Sequence, residues 1–254
     1  MSNELEQQTP RRRGIYLLPN LLTTAGLFAG FYGIVAAIDG NFVSAAIALF
    51  VAMLLDGMDG RVARMTSTES DFGKEFDSLA DMVSFGLAPS VITYQWGVSR
   101  LSEYGAAWGR LGWLAAFLFS VAAAFRLARF NTSAVSGDRR FFQGLPSPSA
   151  AALVAAMVWV STVYDIVGLT ALAAGITVTA VAGLLMMSRF RYYSFKEVNL
   201  SGRVRFAQLL AIPLTLIAIS LDPPIVLFLL ALSYAASGPL LWLWRRGRRH
   251  QGQS

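Results

Sequence analysis

The sequence contains no cysteine and only one histidine among its 254 residues. Without thiols the chain has neither disulfide bonds nor thiolate zinc sites, so these two means of stabilising a fold are excluded. Charged residues are also scarce, at 14%, whereas hydrophobic residues make up 55%. This composition is too apolar for an ordinary soluble domain and is typical of a helical membrane protein with several spans.

Long apolar runs predict an all-α integral membrane protein, a polytopic helical bundle with about eight transmembrane helices. A segment of about 20 apolar residues is long enough to cross the hydrocarbon core of a bilayer. The predicted spans are 18–38, 42–60, 76–97, 111–130, 148–164, 167–187, 206–221 and 224–244.

The basic residues predict how these spans are oriented. Nineteen of the 21 Lys and Arg residues fall on one side of the alternating spans, and only Arg100 and Arg110 fall on the other. Because basic loops are retained in the cytoplasm, we expect both termini on the cytoplasmic side of the cell inner membrane. The distribution of the net charge of +6 favours lipid headgroups over nucleic acid as the partner of the basic residues.

Carboxylates interrupt the apolar pattern between residues 56 and 81, where the sequence reads DGMDGRVARMTSTESDFGKEFDSLAD. In helices, Asp56 and Asp59 share one face and Asp77 and Asp81 share another, since residues three or four apart are neighbours. Two such faces turned toward each other gather four negative charges, which require protons or a cation. An all-oxygen ligand set suits Mg²⁺, Mn²⁺ or Ca²⁺.

Two glycines and an arginine accompany the carboxylates. Gly60 and Gly73 allow a phosphate or a sugar to approach the backbone closely. Arg64 lies one helical turn beyond Gly60 and offers a planar fork for phosphate, although an arginine here can also anchor the span at the membrane surface. In the third span, Gly86 and Pro89 predict a break or kink, which is tolerated where the backbone lines a cavity.

Small residues also recur along the first span. Gly26, Gly30 and Gly33 form a stripe on this predicted helix. Such a stripe permits close packing of neighbouring membrane helices. We therefore interpret these glycines as packing residues.

Written as D-x2-D-G-x2-A-R-x8-G-x3-D-x3-D, the acidic stretch resembles the signature of the CDP-alcohol phosphotransferase family at eight positions. The resemblance implies transfer of a substituted phosphate from a CDP-linked donor, here CDP-diacylglycerol, to an alcohol, with two divalent ions at the site and CMP released. It implies Asp56, Asp59, Asp77 and Asp81 as metal ligands, with Asp81 also the general base. The residues it implies in donor binding are Asn20, Thr23, Gly60, Ala63, Arg64, Ser70 and Gly73.

Five further segments resemble the family members that use L-serine as the acceptor: LLPNLLTTAGLFAGF, DSLADMVSFGLAPS, FRLARFNT, GLPSPSAAA and SRFRYYSFK. The carboxylate of serine requires a positive partner. The candidate acceptor-binding residues are Ser84, Phe85, Arg126, Arg129, Arg189 and Arg191. Two alternatives stay open, a sister enzyme that uses glycerol 3-phosphate, inositol phosphate or choline, and a cation transporter with intramembrane carboxylates.

The same resemblance predicts how the chain is divided. We expect a polar and basic tail at 1–14, a catalytic core at 15–205, two additional transmembrane helices at 206–244 and a basic tail at 245–254. Both tails and the active site are expected to face the cytoplasm. Because members of this family are commonly homodimers, we also expect a homodimer surrounded by membrane lipids.

Overall fold

The computed structural model describes residues 17–66, 68, 70–132, 141–166, 168–193 and 206–251, so the predicted tail at 1–14 lies outside the described residues. Over these residues the chain is almost entirely helical. The α-helices are α1 (Leu17–Ile38), α2 (Phe42–Thr66), α3 (Asp71–Asp81), α4 (Ala88–Thr93), α5 (Ala106–Thr132), α6 (Ser147–Val163), α7 (Leu169–Met187), α8 (Phe206–Leu221) and α9 (Pro223–Gln251).

The predicted third span is one continuous helical rod in which the hydrogen-bonding pattern changes. A π-helix, Met82–Leu87, joins α3 to α4, and a second one, Tyr94–Val98, follows α4 before a 3₁₀-helix at Ser99–Tyr104. The predicted break at Gly86 and Pro89 therefore takes the form of a widened turn. Because Pro89 has no N–H to donate, it cannot continue the regular α-helical ladder at this point.

Side chains satisfy the backbone in this widened turn. The carbonyl oxygen of Gly86 accepts hydrogen bonds from the hydroxyl of Ser90, at 2.9 Å, and from that of Ser120 on α5, at 3.3 Å. Ser120 also lies 2.8 Å from the Ser90 hydroxyl. A polar network thus connects α5 to the rod a few residues beyond Asp81.

The glycine stripe on α1 is a packing surface, as predicted. A Cβ atom added at Gly30 would lie 2.4 Å from the Ser84 hydroxyl and 2.8 Å from the Ser84 Cα. One added at Gly33 would lie 3.3 Å from the carbonyl oxygen of Ala45 on α2. Only glycine allows α1 to approach the rod and α2 this closely, and this contact places the start of α1 beside the acidic stretch.

Five of the described helices, α1, α2, α5, α7 and α9, are long and apolar enough to cross a membrane by length and composition. Helix α6 is apolar but shorter. Large hydrophobic side chains point outward on several helices, among them Phe28 at 70% exposure and Leu221 at 82%. The structure therefore confirms an all-α membrane fold with several spans, while the number of eight spans and the cytoplasmic side of the termini stay predictions.

A two-stranded antiparallel sheet was not expected. Strands β1 (Phe141–Gln143) and β2 (Arg191–Tyr193) follow α5 and α7, and Phe142 pairs with Tyr192. The segment after β1 is held by two further backbone bonds, from Gly144 N to Phe190 O at 2.9 Å and from Leu145 N to Leu185 O at 3.0 Å. The sheet and these two bonds connect the segment before α6 to the segment after α7.

Candidate active site

Helices α2 and α3 bring three aspartates together. Helix α2 extends beyond the predicted end of the second span at residue 60, as far as Thr66, so Asp56 and Asp59 both lie on helix. Asp56, Asp59 and Asp77 each offer a carboxylate oxygen, and these three oxygens lie within 4.8 Å of one another. Asp59 is buried, with 5% of its surface exposed. The two predicted helix faces therefore do meet.

Asp81 lies immediately beside these three residues. Its carboxyl group hydrogen-bonds with that of Asp56 and lies close enough to Asp77 for their charges to interact. All four aspartates line one small pocket, together with Thr23, Gly26, Leu27, Ala52, Ala80, Ser84 and Phe85. Two of the candidate acceptor residues, Ser84 and Phe85, are thus on the wall of the carboxylate pocket.

The three carboxylates of Asp56, Asp59 and Asp77 fit a hard divalent cation. Ligand oxygens lie about 2.1 Å from Mg²⁺ and about 2.3–2.6 Å from Ca²⁺, so opposite ligands of one ion are about 4.2–5.2 Å apart. The observed limit of 4.8 Å is compatible with that range. Oxygen donors alone, without Cys or His, favour Mg²⁺, Mn²⁺ or Ca²⁺ over zinc.

Thr23 of α1 holds one of these carboxylates in place. Its hydroxyl donates a hydrogen bond of 2.8 Å to Asp59 Oδ2, and it also lies 3.1 Å from the Pro19 carbonyl oxygen. Thr23 is buried. The close packing of α1 therefore places a hydrogen-bond donor against Asp59, a predicted metal ligand. The sequence pattern did not indicate this hydrogen bond.

Three predicted donor-binding residues meet where α3 begins. The hydroxyl of Ser70 accepts a hydrogen bond from the Gly73 N–H, at 3.0 Å, and so caps the first turn of α3. A Cβ atom at Gly73 would lie 3.3 Å from Asn20 Oδ1, which places Asn20 against the same turn. Backbone N–H groups at a helix start attract anions.

Three further predicted donor-binding residues, Gly60, Ala63 and Arg64, lie on α2. Arg64 is exposed, and one of its terminal nitrogens, Nη1, lies 3.6 Å from the position that a Cβ atom of Gly60 would take. The guanidinium therefore folds back along the helix over Gly60, at ordinary van der Waals distance. Ala63 is half-buried, and its carbonyl oxygen accepts a hydrogen bond from the N–H of Thr68 at 3.0 Å.

Two of the four candidate arginines lie on α5, and they have different partners. Arg126 donates from Nη1 to the hydroxyl of the fully buried Ser147, at 2.8 Å, and its charge interacts with that of Asp81. The Nε atom of Arg126 is buried and has no hydrogen-bond partner among the residues that the structure describes. Arg129 donates from Nη2 to the Gln143 carbonyl oxygen, at 2.7 Å. Arg126 therefore lies close enough to the predicted base for their charges to interact.

The structure does not bring the remaining two arginines to the carboxylates. Arg189 and Arg191 are exposed, and neither lines the carboxylate pocket. Arg191 belongs to β2 and pairs with Gln143 across the sheet. The prediction that Arg189 and Arg191 bind the acceptor gains no support from this geometry.

Ser147 is a site residue that sequence reasoning missed. The only signal was the segment GLPSPSAAA, which resembles other family members but reads equally well as an ordinary helix start. Asn131 was also missed, and its side chain amide donates to the Ser78 hydroxyl at 2.9 Å, which ties the end of α5 to α3.

A larger cavity, of about 450 Å³, is lined by residues from α2, α6, α7 and the segment before α5, including Trp96, Tyr104 and Asp165. None of the predicted site residues lines it. Cavity size and the convergence of carboxylates therefore point to different places among the described residues.

Comparison with known proteins identifies the family of the chain. The family model described as CDP-alcohol phosphatidyltransferase matches residues 16–183, and the chain belongs to that family. It is accordingly a membrane enzyme that transfers a phosphatidyl group from CDP-diacylglycerol.

Three similar proteins carry more specific names. The chain is 42% identical to a CDP-diacylglycerol–serine O-phosphatidyltransferase of Helicobacter pylori, over 73% of this chain and 75% of that protein. It is 34% identical to the archaetidylserine synthase of Methanothermobacter thermautotrophicus, over 69% of each chain. The crystal structure of Mycobacterium tuberculosis phosphatidylinositol phosphate synthase with CDP-DAG bound has a similar fold, with a TM-score of 0.51 at 22% identity, covering 68% of this chain and 86% of that one.

Proposed function

We propose that this enzyme transfers the phosphatidyl group of CDP-diacylglycerol to the hydroxyl group of L-serine, which yields phosphatidylserine and CMP. The observation that carries the proposal is Arg126, a cation whose charge interacts with that of Asp81 and whose buried Nε atom has no hydrogen-bond partner among the described residues. A substrate with both a hydroxyl and a carboxylate matches a base and a cation whose charges interact. The serine-specific names of its relatives support the same acceptor.

Asp56, Asp59 and Asp77, together with Asp81, would hold two divalent ions, Mg²⁺ or Mn²⁺ in preference to Ca²⁺. Such ions supply charge neutralisation of the pyrophosphate and stabilise the entering and departing oxygens. The role of Thr23 is then to fix the carboxylate of Asp59 through its 2.8 Å hydrogen bond. A ligand whose own orientation is held by a neighbour needs less reorganisation when it binds a cation.

The donor would lie along the α2 side of the pocket. The guanidinium of Arg64, folded over Gly60, is placed to pair with a phosphate of the CDP group. Asn20, Ser70 and Gly73 surround the first turn of α3, and we assign them, with Ala63, to the nucleotide. Thr23 also faces this pocket.

In the reaction Asp81 accepts the proton of the serine hydroxyl. The serine oxygen forms a new bond to the lipid-linked phosphorus, and the bond from that phosphorus to the CMP oxygen breaks. Arg126 binds the serine carboxylate through Nε, while its Nη1 stays on Ser147. We rank Arg126 above Arg129, which donates to Gln143, and above the exposed pair Arg189 and Arg191.

The proposal includes the membrane arrangement. Eight spans, both termini on the cytoplasmic side of the inner membrane and a site open to the cytosol fit the uneven distribution of the basic residues. The catalytic core at 15–205, the two further helices at 206–244 and a homodimeric assembly are proposed with it. Water-soluble serine and CMP would then enter and leave on the side where the cell supplies them.

The test is CMP release by the purified protein in detergent, with CDP-diacylglycerol and Mn²⁺, in the presence of serine, glycerol 3-phosphate, inositol phosphate or choline in turn. We expect release to depend on serine and on the metal, with phosphatidylserine as the lipid product. Release that depends on another alcohol would refute serine as the acceptor. Metal transport without CMP release would refute the transferase.

The matched variant is Asp81→Asn, which keeps the size of the side chain and removes the base. We expect near-complete loss of turnover while the protein still elutes as a folded species and binds CDP-diacylglycerol. Substantial turnover by this variant would remove Asp81 from the role of base.

A further inference from the structure

Helix α9 is fastened to strand β2 by several contacts. Tyr192 is fully buried, and its hydroxyl donates to the Ala235 carbonyl oxygen on α9 at 2.9 Å. The hydroxyl of Tyr234 donates in return to the Tyr193 carbonyl oxygen at 3.0 Å, and the Tyr192 and Tyr234 rings lie 5.6 Å apart. All of these α9 residues lie beyond the residues 16–183 that the family model matches.

Gly238 makes this contact possible. A Cβ atom there would lie 2.4 Å from Cζ of Tyr192 and 2.8 Å from two other ring carbons. A buried ring that already donates a hydrogen bond has little freedom to move aside. Because Gly238 has no side chain, it leaves the space on the surface of α9 that the Tyr192 ring occupies.

The two-stranded sheet connects this contact on α9 to the residues that accept hydrogen bonds from the α5 arginines. Strand β2 pairs with β1, whose Gln143 carbonyl accepts the hydrogen bond from Arg129. Four residues beyond Gln143, Ser147 accepts the hydrogen bond from Arg126. Tyr234 also lies close enough to Arg126 for their groups to interact electrostatically. The position of Arg126 thus depends on where α9 holds the sheet.

We infer that Tyr192 and Gly238 are positioning residues for acceptor binding. Their contact holds the two-stranded sheet against α9, and the sheet in turn keeps Arg126 directed at the acceptor next to Asp81. The inference rests on the proposed acceptor role of Arg126. Helix α9, which contributes no aspartate to the site, would thus affect catalysis through the position of Arg126. Asp56, Asp59, Asp77 and Arg64 lie on α2 and α3 rather than on the sheet, so we expect the donor and metal sites to be insensitive to this contact.

The experiment compares Gly238→Ala with the parent enzyme in steady-state CMP release, varying acceptor and CDP-diacylglycerol separately. Restoring an ordinary contact at Gly238 requires a shift of about 1 Å, and a misplacement of that size can cost up to about 100-fold. We expect kcat/KM for the acceptor to fall at least about tenfold, chiefly through KM. We expect KM for CDP-diacylglycerol and the Mn²⁺ requirement to stay within about twofold of the parent.

The matched control is Ser233→Thr, which also adds one methyl group to α9, at an exposed position, and should leave all parameters unchanged. Tyr192→Leu should reproduce the acceptor defect. Because both changes break one contact, the double variant should be no worse than the poorer single variant. If Gly238→Ala does not fold, Tyr192→Phe, which removes only the hydrogen bond to Ala235, is measured in its place, with a smaller rise in acceptor KM expected.

Unchanged acceptor KM in both Gly238→Ala and Tyr192→Phe would overturn the inference, as would equal losses for acceptor, donor and metal. These results differ from failure of the proposed function, in which the parent enzyme itself does not use serine. If the parent uses another alcohol, the same variants are measured with that alcohol.

Discussion

The hydrogen bond between Thr23 and Asp59 connects α1 to the carboxylate cluster across 36 residues of sequence. Thr23→Val keeps the branched shape of the side chain and removes the hydroxyl. The buried Asp59 carboxylate then loses a donor that water cannot readily replace. We expect the variant to fold and to need a higher metal concentration for CMP release.

The size of this effect follows from the contact. A hydrogen bond to a charged group contributes about 1.5–3 kcal/mol, which corresponds to about a 10- to 150-fold change in a binding constant. The Thr23 hydroxyl also lies near the Pro19 carbonyl, so only part of its bonding is directed at Asp59. We therefore expect the Mn²⁺ concentration at half-maximal CMP release to rise about 10- to 30-fold.

The assay is a Mn²⁺ titration of CMP release, supported by Mn²⁺ binding measured calorimetrically without substrate. Thr23→Ser retains the donor and should stay close to the parent. Thr24→Val is the matched control, because the Thr24 hydroxyl is exposed and its one hydrogen bond within the described residues, of 2.7 Å, goes to the Asn20 carbonyl in its own helix. Equal Mn²⁺ requirements for Thr23→Val and Thr24→Val would refute a role of Thr23 in holding Asp59.

Two further predictions concern the acceptor arginine and the glycine stripe. Arg126→Gln keeps a donor for Ser147 but removes the charge, so KM for serine should rise about 10- to 100-fold in steady-state assays, while KM for CDP-diacylglycerol changes little. Arg129→Gln should raise KM for serine less. Equal effects of the two substitutions would contradict the ranking of Arg126 above Arg129. Gly30→Ala forces a Cβ atom to within 2.4 Å of the Ser84 hydroxyl, which should cost about 1–3 kcal/mol and lower the midpoint of thermal unfolding in detergent. Gly57→Ala, where no described residue lies within 4 Å of the added Cβ atom, should not lower that midpoint, since alanine favours a helix more than glycine does.

The aspartate site could be predicted from the sequence because each pair of aspartates lies within a few residues on a single helix. Asp56 and Asp59 on one helix, and Asp77 and Asp81 on the next, share faces through spacing alone, and both segments proved helical. Spacing also indicated the small-residue face of α1. Periodicity reports which residues share a face of one helix.

Contacts between distant elements could not be predicted in this way. Nothing in the spacing of α1 indicates that Thr23 donates to Asp59, or that Arg126 finds Ser147 beyond the loop after α5. The strands β1 and β2 are only three residues long, too short to show an alternating pattern, and their pairing depends on the buried Tyr192. Their sequence, rich in aromatic and basic residues, equally suits a segment at the membrane surface.

The widened turn between Asp81 and Pro89 makes this part of the protein sensitive to chain length. Each residue of a regular helix advances the direction of the following side chains by about 100°. A deletion within Met82–Leu87 would remove the extra residue that the π-helix accommodates, and so rotate Asp81 relative to Ser90 and the polar network beyond it. Evolution can therefore exchange side chains in this segment more readily than it can shorten or lengthen it.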